Sequence, residues 1–213
     1  MKIALIGAHG KVGRLLVPIL ADHGHDVSGV VRHESQLPLV EELGGTPLLL
    51  DVEHASTEEI TEALRGHDAV VWSAGAGGGS PERTYAVDRD AAIRSMDAAT
   101  AAGARRYVMV SWIGSVPDHG IAPDNSFFPY ADAKLAADDH LRGTDLDWTI
   151  LGPGTLTNDD ATGKISIDPD DAGNTSRGNV ALVVAQALGS PSTVGRFVRF
   201  VDGETPVLEA FGR

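Results

Sequence analysis

A chain of 213 residues, 42% hydrophobic and 22% charged, can bury one sizeable core and lacks the composition of a disordered polymer. It contains no cysteine, which excludes disulfides, thiolate catalysis and cysteine-ligated metals. Its net charge of −13 repels nucleic-acid backbones and anionic membranes, and no apolar run reaches the ~18–20 residues of a bilayer span, so neither is an expected partner.

Lys2–Ile6 is a short apolar run ending in glycine and predicts a strand buried on both faces. No cleavage-site pattern follows it, and with the missing cysteines this fits a cytoplasmic protein. Val12–His23 has helical apolar spacing and stops at Gly24. Asp26–Val31 predicts a second strand, Leu37–Leu43 a short helix and Thr46–Leu50 a third strand ending at Asp51. Ser56-Thr57-Glu58-Glu59 opens a helix with N-cap chemistry. Ala69–Trp72 predicts the fourth strand, Asp88–Ala102 an alanine-rich helix closed by Gly103, and Arg106–Val110 the fifth strand. Phe128–Leu141 then predicts a helix, Trp148–Leu151 the sixth strand, Val180–Leu188 a helix and Phe197–Val201 a last strand. The alternation implies a single α/β domain over 1–213, a doubly wound parallel sheet. Loop-rich stretches at Gly75–Glu82, Ser115–Ser126 and Pro153–Gly163 follow strands, at the edge where such sheets bind ligands.

The first strand and helix are joined by Gly7-Ala8-His9-Gly10-Lys11-Val12-Gly13, a GxxGxxG loop in strand–loop–helix context. Gly7 suits a tight turn, Gly10 lets backbone approach a pyrophosphate, and Gly13 permits close helix–sheet packing; the amides from His9 through Lys11 and Val12 lie where phosphates would sit. Arg32 ends the second strand 19 positions after Gly13, near the ~20 at which an acid would select NAD and an arginine the 2′-phosphate of NADP. The cofactor expected is therefore NADP(H) in preference to NAD(H), with Arg14 and His33 as helpers. Asp51, beside Val52, could accept a bond from the adenine amino group or serve only as a turn residue. Ser73-Ala74-Gly75 offers small side chains against which a flat cofactor can lie.

Tyr130 and Lys134 stand at i and i+4 on one helix face, and Ser111 ends the fifth strand. A phenol near a pKa of ~10 holds its proton tightly, and a neighbouring ammonium would lower that value. Tyr130 is thus a candidate general acid, Lys134 its helper and ribose ligand, and Ser111 a donor to the substrate oxygen.

With these residues in view the chain resembles the short-chain dehydrogenase/reductase superfamily, most of all its atypical NAD(P)-binding, NmrA-like and epimerase-like branch. The likeness extends over Tyr85-Ala86-Val87-Asp88, taken to open the crossover helix, then Gly103 to Ser111, Trp148 to Gly154 and Ser176 to Ala181. The resemblance implies that Pro153 and Gly154 line the nicotinamide side. It also implies an NADP(H)-dependent oxidoreductase or epimerase-like enzyme for a small carbonyl, hydroxyl or quinone-type substrate. Trp112 follows Ser111 where the family often has a second hydroxyl, leaving Ser115 as a rival, and Asn179 replaces an acid frequent before Val180. Some members bind NADP without turnover as redox sensors; a flavin reductase is a further alternative.

The eight histidines are scattered and predict no metal site, and Asp168-Pro169-Asp170-Asp171 reads as a solvated turn. Trp112, Phe127 and Phe128 are either a wall over the nicotinamide or core. Residues 153–177 are a candidate substrate segment, with a lid hinged at Gly154 and Gly163. A final helix and strand pair could mediate a homodimer.

Overall fold

Apolar tetrapeptides and pentapeptides become strands and the 3.6-period stretches become helices, in the computed structural model that describes residues 1–78 and 80–211. β1 (Lys2–Ile6) leads into α1 (Gly13–Asp22), then β2 (Asp26–Val31), α2 (Leu37–Glu42), β3 (Thr46–Leu49), α3 (Thr57–Leu64) and β4 (Ala69–Trp72). One continuous helical segment follows: α4 (Pro81–Thr84), a π-helical stretch (Tyr85–Ala91) and α5 (Ala92–Ala102). Then come β5 (Arg106–Val110), α6 (Phe128–Arg142), β6 (Asp147–Pro153), β7 (Thr155–Thr157), β8 (Lys164–Ile167), β9 (Asn174–Ser176), α7 (Arg177–Leu188), β10 (Arg196–Asp202), β11 (Thr205–Pro206) and α8 (Val207–Ala210).

Among the described residues the main sheet runs β11-β8-β10-β6-β5-β4-β1-β2-β3, and β7 pairs with β9 apart from it. From β10 to β3 every pairing is parallel; β8 and β11 run antiparallel at the far edge. Both rims carry a proline, Pro47 in β3 and Pro206 in β11. Strand residues alternate between two cores. Ile3, Leu5, Val71 and Val108 face Leu16, Val17 and Leu20 of α1 and Val180, Val183 and Val184 of α7. Ala4, Ile6, Val70, Trp72 and Met109 face Ile60 of α3, Met96 of α5 and Leu141 of α6. Covering both faces makes the central strands β1 and β4 apolar over nearly their whole length, which is the run seen in the sequence. The sheet is the doubly wound Rossmann type, and no helix among the described residues is long and apolar enough to cross a membrane.

Three boundaries differ from the expectation. The helix expected to begin at Asp88 begins at Pro81, so the glycine-rich loop ends at Ser80 and Asp88 lies inside the π-helical stretch; Gly79 of that loop lies outside the described residues. The wider π turn has no apolar period of its own to betray it. β6 runs on to Pro153, and β7 occupies part of the expected Pro153–Gly163 loop, because three-residue strands are too short to show alternation. At the opposite end of the sheet, Arg106 bonds Thr149 Oγ1, Ala187 O and Thr193 Oγ1 at 2.7, 2.8 and 3.1 Å, tying β5 to β6 and α7.

Candidate active site

Strand order reverses beside β1, which has β4 on one side and β2 on the other, so a crevice opens above their carboxyl ends. The glycine loop fills its floor. Gly7 has φ +92°, and a Cβ there would come 2.6 Å from Ala74 N. A Cβ on Gly13 would lie 2.3 Å from Gly7 O, and one on Gly10 3.1 Å from the same atom. The cradle is thus closed to any side chain at Gly7 and Gly13. α1 starts with no side-chain cap; the amides of Arg14 and Leu15 donate to Gly10 O and Val12 O at 2.9 and 3.0 Å, and among the described residues those of Lys11, Val12 and Gly13 are left for a ligand with negative charge. Val12 lines the second cleft described below, and Lys11 is exposed at the loop's outer side.

A cleft of about 200 Å³, open to solvent, extends from this loop along β2 and β3, lined among others by His9, Arg32, Gln36, Asp51, Val52 and Glu53. Arg32, its side chain 45% exposed, reaches to 3.9 Å from Glu53 Oε2. Glu53 in turn accepts two bonds from Arg83, at 3.1 and 3.2 Å. Arg14 donates to His9 O at 2.8 Å, and the His9 ring lies within hydrogen-bond distance of Arg14 Nη2 at its Nε2, 2.7 Å, and of Gln36 Nε2 at its Nδ1, 3.2 Å, only one of which nitrogens can accept in a neutral ring. Burial, then the guanidinium groups of Arg14 and Arg32, hold His9 below the usual histidine value, so it is neutral at pH 7. His33 caps the turn at Gln36. Asp51 does what a turn residue does, accepting from Glu53 N at 3.2 Å and pairing with His54 at 2.9 Å, while also lining the cleft.

Ser73, Ala74 and Gly75 line this cleft and a second one, of about 460 Å³ and likewise open to solvent, so the two are continuous. The second contains Ser111, Tyr130 and Lys134, which the fold does bring together, and also Asp88, Phe127 and Leu156. Lys134 is 1% exposed; its Nζ donates to Val110 O at 2.9 Å and contacts Met109 Sδ at 3.4 Å. Ser111 and Ser115 both donate to Oδ2 of Asp138, at 2.5 and 2.6 Å, and Asp138 Oδ1 has no partner among the described residues. Asp138 is fully buried on α6, one turn beyond Lys134. The choice between the two serines is therefore not exclusive, since they hold one carboxylate between them.

The expected lowering of the Tyr130 pKa is overturned. Desolvation, then the negative charges of Asp88 and Asp138, raise it well above the ordinary phenol range, and the Lys134 ammonium is turned to the Val110 carbonyl. Burial likewise raises Asp88 and Asp138, against the pull of Lys134 on each. Asp88 closes the Tyr85–Asp88 stretch that carries the resemblance, with no site role attached to it there, and Asp138 belongs to no motif. A hint exists, since Tyr130, Lys134 and Asp138 form an i, i+4, i+8 ladder on α6.

Other expected positions fall elsewhere. Pro153 and Gly154 are buried at the end of β6, and neither lines the two clefts. Gly154 N bonds Phe200 O and Thr175 Oγ1, both at 3.0 Å, and a Cβ would strike Gly173 O, so Gly154 is too tightly held to be a hinge. Of residues 153–177, Leu156 lines the second cleft. Of the aromatic wall, Phe127 lines the cleft; Trp112 packs behind it at 5.1 Å between centroids, and Phe128 faces His119. Asp170 and Asp171 are exposed, as a solvated turn requires.

The model of a family described as NAD(P)H-binding matches residues 7–191. A protein of Bacillus subtilis (strain 168) named an uncharacterised sugar epimerase, YhfK, is 37% identical over 214 residues, covering 99% of this chain and 98% of the relative. A solved structure from Bacillus halodurans, provisionally named an NAD-dependent epimerase/dehydratase, superposes with a TM-score of 0.91 at 31% identity, covering 99% and 98% of the two chains. The oxidoreductase ylbE of Lactococcus lactis gives 0.90 at 30% identity, covering 99% and 95%.

Proposed function

The chain belongs to the NAD(P)H-binding family, and from that premise we propose that it is an NADP(H)-dependent oxidoreductase or epimerase-like enzyme acting on a small carbonyl, hydroxyl or quinone-type substrate. The observation that carries this reading is the continuity of the two clefts through Ser73, Ala74 and Gly75, with Arg32 at one end and Tyr130, Lys134 and Asp88 at the other. A dinucleotide needs such a path, with separate chemistry at its ends.

Bound in this way, a reduced nicotinamide supplies a hydride. The chain's own residues do the rest. The amides of Lys11, Val12 and Gly13 hold the pyrophosphate, and Gly7, Gly10 and Gly13 keep side chains out of its way. Arg32 takes the 2′-phosphate in competition with Glu53. Tyr130, kept protonated by its surroundings, donates a hydrogen bond to the substrate oxygen, and Lys134 offsets the charge of the neighbouring carboxylates. Calorimetry with NADPH and NADH, followed by loss of NADPH absorbance over a carbonyl and quinone panel, tests the reading. No saturation by either nucleotide at millimolar concentration overturns it.

A second reading is an NADP(H)-responsive regulator without turnover. It draws on the Ser111 hydroxyl, whose proton goes to Asp138 instead of the cleft. It predicts saturable NADPH binding, no consumption with any acceptor, and a protein partner whose affinity follows cofactor redox state.

A further inference from the structure

Phe127 stands at the start of α6 and lines the second cleft with 41% of its surface exposed. Its ring is held in place by neighbours. Trp112 meets it edge to face at 5.1 Å between centroids, and Tyr130 lies 5.1 Å away, tilted by 47°. Trp112 is itself braced by His119 at 6.4 Å. The rings make an aromatic platform whose open part is Phe127, beside Tyr130. Ala76, Pro81, Val110, Pro129 and Leu156 continue the apolar lining.

The polar groups of this cleft are mostly committed within the protein. The Ser111 hydroxyl donates to Asp138 and that of Thr84 to Ser80 O. Asp88, 2% exposed, accepts the Ala76 amide. Lys134 is the one cation among the described lining residues, and it is 1% exposed and bonded to Val110 O. The hydroxyls of Tyr130 and Ser126 are left among the described lining residues. A sugar would strand most of its hydroxyls against such a lining, and the diphosphate of a sugar nucleotide would meet no free cation there. A carbonyl oxygen on a flat apolar body finds what it needs, a donor and an aromatic face.

We propose that the acceptor taken by this cleft is a flat, uncharged carbonyl compound of the fused-ring quinone class, seated on Phe127, and not a sugar or sugar nucleotide. The inference rests on the oxidoreductase reading and narrows its substrate to one class. Hydride from NADPH carries two electrons to the quinone, giving NADP⁺ and the hydroquinone monoanion. One proton, drawn from water at the oxygen that Tyr130 holds, completes the hydroquinone. Burial and stacking against the Phe127 ring supply affinity, and Tyr130 fixes which oxygen points inward.

The test uses the full-length protein with 1,4-naphthoquinone, its single-ring counterpart 1,4-benzoquinone, and UDP-glucose as probes. In wild type the KM for naphthoquinone is expected about tenfold or more below that for benzoquinone. Phe127→Ala raises the naphthoquinone KM about tenfold and erases that advantage, whereas Phe127→Tyr, which keeps the ring, retains it. Binding is read separately. With NADP⁺ bound, naphthoquinone should quench tryptophan emission saturably in wild type and much less in Trp112→Phe. Equal KM values for the two quinones in wild type, an unchanged naphthoquinone KM in Phe127→Ala, no saturable quench, or conversion of UDP-glucose at a lower KM each overturn the proposal. Should Phe127→Ala not fold, Phe127→Leu, which keeps bulk and loses the aromatic face, is expected to raise the naphthoquinone KM about threefold, and an unchanged value counts against it. Wild type that binds no nucleotide, or oxidises NADPH with no acceptor at all, defeats the underlying reading; turnover of other carbonyls without preference for the fused ring defeats this proposal alone.

Discussion

Arg32 and Glu53 set opposing charges at the mouth of the first cleft. Removing the cation in Arg32→Ala is expected to weaken NADPH by about tenfold or more, the effect of ~1.4 kcal/mol, and to leave NADH nearly unchanged. Calorimetry with both nucleotides checks this, and equal losses would refute the 2′-phosphate assignment. Glu53→Gln should act in the other direction, tightening NADPH a few-fold, because the phosphate no longer meets a carboxylate beside Arg32. The buried carboxylates give a prediction in pH. Asp88 and Asp138 bind protons more tightly folded than unfolded. As pH rises past the unfolded value, near ~3.9, the unfolded chain releases its protons first, so stability declines until the raised folded values are passed. Urea midpoints should show that decline in wild type and a flatter dependence in Asp138→Asn; parallel curves would exclude it. At this scale the sequence was informative where steric demand is absolute, as at Gly7 and Gly13, whose Cβ positions are occupied by backbone. It was silent on Asp138, since the residues it meets, Ser111 and Ser115, are 27 and 23 positions away.

At the scale of elements, the turn from Thr162 to Lys164 that enters β8 is tied to β10 by one residue of α7. Asn179 is fully buried; its Nδ2 donates to Thr162 Oγ1, Lys164 O and Asp202 Oδ1 at 2.9, 3.1 and 2.6 Å, and its Oδ1 accepts Gly163 N–H at 2.9 Å. An acid, frequent at this place in the resembling family, would lose the donors and face Asp202. Asn179→Asp should therefore lower stability by roughly 2–4 kcal/mol at neutral pH, part of it recovered on acidification. Chemical denaturation at two pH values decides, and a neutral substitution would show that the segment is held by other contacts. The same bonds tie down Gly163, the residue at which the sequence alone suggested a hinge. Glycine advertises freedom in a sequence, whereas the partners that remove it are distant. Long elements with a buried face, such as α6, were legible to within a residue; β7, β9 and the π-helical turn were not, being too short or aperiodic.

For the whole molecule, the doubly wound class was readable because apolar runs such as β1 and β4, covered on both faces, alternate with helices along the chain. The antiparallel addition of β8 and β11 was not, since nothing local chooses the direction of a strand that returns at an edge. The cofactor ought to stabilise this whole unit. NADPH at 100 times its dissociation constant contributes about 2.7 kcal/mol, or roughly 5–11 °C in Tm for a chain of this size. Thermal scans with and without NADPH provide the measurement; an unmoved transition would contradict binding to the folded state. The prolines at the two sheet rims, Pro47 and Pro206, have a last consequence. Lacking an amide hydrogen, each interrupts the ladder that a second chain would need to stitch itself onto the sheet. Copies that each carry −13 also repel one another. Polymerisation strand against strand is discouraged at both borders, and a homodimer, should one form, would have to meet through helices or loops.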